Sequence, residues 1–111
     1  MTVTVKVLIP AKIAEATQTT QYTATGVTTL IDKFTATNYS AVAATISVNL
    51  VTSADTAGNN NLIVKTKTLQ AGETYTFPDI VGAALAASGF ISTIASTAAA
   101  INIRASGREI S

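Results

Sequence analysis

Few side chains in this sequence can do chemistry, and their types decide which reactions are open to it. The chain has no His and no Cys, seven Lys and Arg, and six carboxylates: Glu15, Asp32, Asp55, Glu73, Asp79 and Glu109. A Ser or Thr hydroxyl becomes a nucleophile only beside a base; the usual imidazole is missing, and no spacing marks a Ser–Lys pair in its place. Glycoside hydrolysis needs two carboxyl groups facing each other across a sugar, and nothing in the sequence pairs any two of the six. They read as solvated or ion-paired surface acids. Asp55 with Asn59, Asn60 and Asn61 gathers oxygen ligands on one loop, yet a single carboxylate in a spacing that matches no calcium loop reads as a turn. The sequence therefore predicts no enzyme, no catalytic residue, no cofactor, no metal ligand and no small-molecule substrate.

What remains is contact chemistry. Asp32 and Lys33 interrupt an apolar run of Leu30, Ile31 and Phe34, and Arg104 stands alone between Ile101 and Ala105. A charge inside a β-run lies on the solvent face of an alternating strand or meets a partner at an edge, where it also guards against wrong pairing. Both arginines, Arg104 and Arg108, fall in the tail that leads to Glu109, and guanidinium forks suit carboxylates on a neighbouring subunit. At the other end, Val3, Val5 and Val7 share one face of an alternating strand suited to joining a neighbour's sheet edge. Val3, Val5, Val7, Asp32, Lys33, Arg104, Arg108 and Glu109 are the candidate interface.

The elements that must carry these residues are β-strands. Thr2 to Ile9 alternates in period two, as an extended N-terminal arm within residues 1–18 or as an edge strand, and Pro10 ends it or confines it to an edge. Ala11 to Thr17 permits a helical turn, and Thr19 to Thr25 resumes β-type residues. Thr28 to Thr37 and Ala43 to Thr52 predict a hairpin around Asn38 to Ala41, whose glycosylation sequon reads as a turn. Ser53 to Asn61 predicts an exposed tip. Leu62 to Thr68 is a strand with Ile63, Lys65 and Lys67 on one face; Glu73 to Phe77 is another, closed by Pro78. Asp79 to Ala87 is ambiguous: Asp79 can cap a short helix, and Gly82 opposes a long one. Phe90 to Ala95 and Ala99 to Ser106 predict a second hairpin, with Gly107 breaking the chain before Arg108.

About eight short strands at regular spacing predict an all-β fold, a two-sheet antiparallel β-sandwich that is jelly-roll-like. At 111 residues it forms a single domain over 1–111. The composition is 48% hydrophobic and only 5% aromatic, and Ala36, Ala44, Ala95, Ala99 and Ala105 at inward positions predict a thin core that subunit contacts would help stabilise. A net charge of +1, with no basic stripe, argues against nucleic acid. The N-terminus predicts no secretory leader. The uncharged run Ile80 to Ile103 is long enough to span a bilayer, but its alanines and interrupting Gly, Ser and Thr favour strand and loop, so no membrane partner is expected.

Three stretches, TLIDKFTATNYSAVAATISVNLV (Thr29 to Val51), NLIVKTKTLQAGETYTFPDIVG (Asn61 to Gly82) and INIRASGREIS (Ile101 to Ser111), resemble small structural proteins of tailed bacteriophages. They are most similar to the β-sandwich proteins that decorate or cement the capsids of short-tailed phages. The resemblance implies a non-enzymatic virion protein, made in the host cytoplasm and placed on the outer capsid surface. Its implied partners are the major capsid protein and further copies of itself, as a dimer or trimer. A neck, tail or tail-fibre component and a carbohydrate-binding adhesion module are the alternatives.

Overall fold

The structure is a computed structural model and describes residues 1–111. Its strands are β1 (Val3–Ile13), β2 (Thr19–Thr23), β3 (Thr28–Asn38), β4 (Ala44–Val51), β5 (Leu62–Leu69), β6 (Thr74–Thr76), β7 (Ala84–Leu85), β8 (Phe90–Ala95) and β9 (Ile101–Ile110). A five-stranded sheet runs β1-β9-β3-β6 with β7 also on β3, and a four-stranded sheet runs β2-β8-β4-β5. Every pairing is antiparallel. β6 and β7 lie end to end along one side of β3, so they occupy a single strand position. The chain then pairs first with last, β1 with β9, β2 with β8, β3 with β6 and β7, and β4 with β5. It is a long hairpin rolled into two layers, the jelly-roll arrangement.

Both predicted hairpins are replaced by crossings between sheets. β3 and β4 share no ladder, because each turns an apolar face toward the other across the core: Ile31, Phe34 and Ala36 from one, Ile46 and Val48 from the other. The Asx turn between them does form, with Ser40 donating its backbone N–H and its hydroxyl to Asn38 Oδ1 at 2.9 and 2.7 Å. The Asn38 side chain is itself buried and donates to the carbonyls of Val42 and Leu69, pinning the corner. β8 and β9 likewise enter different sheets. Ala99 sits at that crossing with φ 55°, exposed rather than inward.

Four local expectations are also corrected. The segment after Pro10 continues β1 to Ile13 instead of forming a helical turn, because Pro10 lies on an edge strand that two register shifts relax. No helix follows Asp79: Gly82, at φ +87°, donates to the Ile31 carbonyl and leads into β7. On β5 an extra residue at Thr66, φ 44°, shifts the alternation, so Lys67 turns inward and its ammonium lies 4.3 Å from the Tyr75 ring centre. Gly107 does not break the chain, since β9 runs through it. A Cβ there would lie 2.1 Å from the Leu30 carbonyl oxygen and 2.9 Å from Leu8 Cδ1, so only glycine fits the close approach of β9 to a bulge in β3.

The core between the sheets is one cluster of 21 buried residues. Phe34 and Phe77 meet edge to face at 5.1 Å in its middle. Ala36, Ala44, Ala95 and Ala105 are buried members of the same cluster. The loop between β4 and β5 is exposed at its tip but folds back on the four-stranded sheet, with Asn49 Nδ2 donating to Gly58 O and Asn61 Oδ1.

Candidate functional site: the outer face of the five-stranded sheet

Residues directly opposite in a ladder point to the same face, so the register maps the surface row by row. Val3, Ile110 and Thr28 form one row, and Val5, Arg108, Leu30 and Ala84 the next. Val7, Ser106 and Lys33 form the third, and Arg104 lies opposite Thr35 beyond it. The Tyr22 hydroxyl reaches Thr29 and Glu109 from the core, which fixes the alternate rows as inward and these as outward. The structure thus brings Val3, Val5, Val7, Asp32, Lys33, Arg104 and Arg108 to one outer surface and sends Glu109 to the other side.

The valines are 50%, 83% and 43% exposed, unusual for three residues of this type in one strand. They lie at the sheet's edge, since β1 has a partner only in β9. Strand alternation explains why they share a face, and the bulge explains Asp32. The extra residue in β3 between Ile31 and Lys33 lets two consecutive charges face solvent, where alternation would bury one.

Asp32 receives two parallel bonds from Arg108, Nε to Oδ2 at 3.0 Å and Nη2 to Oδ1 at 2.8 Å. Hydrogen bonding to Arg108 holds the Asp32 carboxyl below its ordinary range and raises the guanidinium in return. The fork is engaged within the chain, so a neighbouring carboxylate would have to displace Asp32. Arg104 and Lys33 make no ion pair within the chain.

Sequence reasoning missed the group behind this face. Glu109 accepts from the Tyr22 hydroxyl and sits 3.3 Å from Lys6 Nζ, and Tyr22 also bonds Thr29 Oγ1 at 2.7 Å. The Tyr22 bond and Lys6 lower the Glu109 carboxyl, while burial, then Glu109, push the Tyr22 hydroxyl up to about 12. Alternation carried the signal, because Glu109 next to an outward Arg108 must point in. The cluster ties β1, β2, β3 and β9 together beneath the valines.

The opposite surface, on the four-stranded sheet, holds two adjoining depressions of about 210 and 190 Å³ that share Ser47, Thr66 and Ile94. Gln18, which lines the first, donates to Ser92 Oγ at 2.7 Å and Asn49 Oδ1 at 3.4 Å. No three His, Cys, Asp or Glu side chains are grouped to hold a metal ion, and no helix is long and apolar enough to cross a membrane. Compared with family models, curated proteins and solved structures, the chain matches none.

Proposed function

We propose that this protein is a structural component of a phage virion that binds the assembled capsid and staples neighbouring major capsid protein subunits. The observation that carries the reading is the valine stripe on the outer face of the five-stranded sheet, flanked by half-buried Leu30 and Ile110. An apolar stripe at an open sheet edge is a hazard to a free monomer and an asset to an adhesive one. Covering the three valines is worth about 3 kcal/mol per copy by area bookkeeping. Small contributions suffice here, because each copy adds its binding energy to the closed shell and none to free subunits. The resemblance of the sequence to capsid-cementing proteins supplies the partner; jelly rolls serve capsids and lectins alike, so the fold does not choose between them.

The test mixes the protein with expanded, empty shells of a short-tailed phage and follows co-sedimentation and shell melting. Binding in hundreds of copies with a raised melting temperature is expected, and Leu30→Glu, away from the sheet edge, should weaken it. Equal melting with and without the protein overturns the reading, and six or twelve copies per particle would place it in the neck or tail. The polar depressions around Gln18, Asn49 and Thr66 favour a second reading, a glycan-binding adhesion module. Retention on immobilised polysaccharide would distinguish it.

A further inference from the structure

The free edge of β1 has a specific geometry. Thr2 and Ser111 exchange both backbone bonds, at 3.0 and 2.9 Å, so in this ladder Thr2, Thr4 and Lys6 direct their N–H and C=O groups toward β9. Val3, Val5 and Val7 direct theirs away from it, to the open side. No element of the chain covers that side, and every residue from Val3 to Val7 is exposed. The unpaired backbone groups and the exposed valine side chains therefore belong to the same residues.

We infer that two copies of this chain join edge to edge through β1, antiparallel about a two-fold axis at Val5. In that register Val5 faces Val5 of the second copy and Val3 faces Val7, and each opposed pair exchanges both backbone bonds. The segment is self-complementary in its apolar pattern, and the register sets no like charges directly opposite. Its one charge, Lys6, falls opposite Thr4 of the second copy and is already matched by Glu109 within its own chain. A register shifted by two residues toward either end loses one of the opposed valine pairs, and a shift by one puts valines on opposite faces. The product is two five-stranded sheets fused into one, with both valine stripes side by side on one outer face. This pairing is independent of any capsid and is tested on the isolated protein.

The chain contains no cysteine, so introduced thiols report the register without background. Hydrogen-bonded antiparallel neighbours lie about 5.5 Å apart at Cα, within disulfide reach. Under mild oxidation Val5→Cys should form a covalent dimer with itself. Val3→Cys alone should not, whereas a mixture of Val3→Cys and Val7→Cys should cross-link. In sedimentation equilibrium the unmodified chain should be dimeric at micromolar concentration. Val5→Lys, which sets like charges opposite each other at an 83% exposed position, should weaken the dimer at least tenfold with an unchanged circular dichroism spectrum. A monomeric chain, or self-linking of Val3→Cys, overturns the inference; so does a dimer that Val5→Lys leaves intact.

Discussion

Replacing Gly107 with alanine should be among the most damaging single-methyl additions available to this fold. The new Cβ would sit 2.1 Å from the Leu30 carbonyl oxygen, about 1 Å inside an ordinary contact, and 2.9 Å from Leu8 Cδ1. Leu8 can rotate; a backbone carbonyl in the middle of a sheet cannot. β9 must therefore retreat from β3, at an overpacking cost of about 1–3 kcal/mol. The bonds strained on either side add about 1 kcal/mol each. The lower entropy of an alanine-containing unfolded chain offsets only about 0.4–1 kcal/mol. A net loss of about 3 kcal/mol is expected, which is a large share of the roughly 5–15 kcal/mol typical of a domain. Urea unfolding followed by circular dichroism and tyrosine fluorescence measures it, the chain having no tryptophan. Gly26→Ala and Gly72→Ala are the controls: both sites have positive φ and open space around the missing Cβ, so each should cost about 1–2 kcal/mol. If Gly107→Ala proves as mild as those two, the close approach of β9 to β3 is not what demands glycine there, and the reasoning fails.

Other perturbations test the remaining parts of the structure. Tyr22→Phe should cost about 1–2 kcal/mol by leaving Glu109 and Thr29 without their shared partner, read by urea unfolding at neutral pH. The raised Tyr22 hydroxyl contributes stability that is complete below pH 10, its ordinary value, and lost as pH climbs to about 12. The lowered Glu109 carboxyl contributes stability present above the ordinary carboxylate range and lost as pH falls below it. Tyr22→Phe should flatten both limbs of a stability–pH curve, and unchanged limbs would refute the coupling. Asn38→Ala should cost about 2–3 kcal/mol in the same assay, because it removes the buried amide's two bonds to the Val42 and Leu69 carbonyls and frees the corner between sheets. Phe34→Ala should cost about 3–5 kcal/mol through the cavity it opens against Phe77. Arg108→Ala breaks a solvent-facing surface pair, so thermal unfolding should barely change.

The strands were largely legible in the sequence, because alternation of Val, Ile and Thr with small polar residues is a direct consequence of having one wet face. The exposed β1 valines could be grouped for the same reason. Which sheet each strand joins was not legible. The segments around Asn38 and Ala99 carry the same local turn chemistry whether the chain folds back on itself or steps across the core. Only the apolar faces of β3 and β4, meeting through the interior, decide. Gly107 was misread because a glycine that breaks a strand and one that admits a close neighbour look alike without the neighbour. Single inserted residues at Asp32 and Thr66 also escaped, since a bulge changes the phase of a pattern without changing its composition. Of the candidate interface, Glu109 was placed with Arg108 by adjacency, although a two-residue period sets them on opposite sides.

The pairing of first strand with last bears on the order in which the molecule is built. β4 and β5 are the only ladder partners adjacent in sequence, whereas β1 must wait for β9. Closing the largest loops last is entropically cheapest, so assembly should zip outward from the β4–β5 tip, and a topology this non-local belongs with slow folders, on the order of milliseconds to seconds. Pulse-labelled hydrogen exchange should find amides of β4 and β5 protected first and those of β1 last. A nascent chain would thus carry no finished sticky border until the rest of the roll exists to hold it, which separates folding from attachment in time.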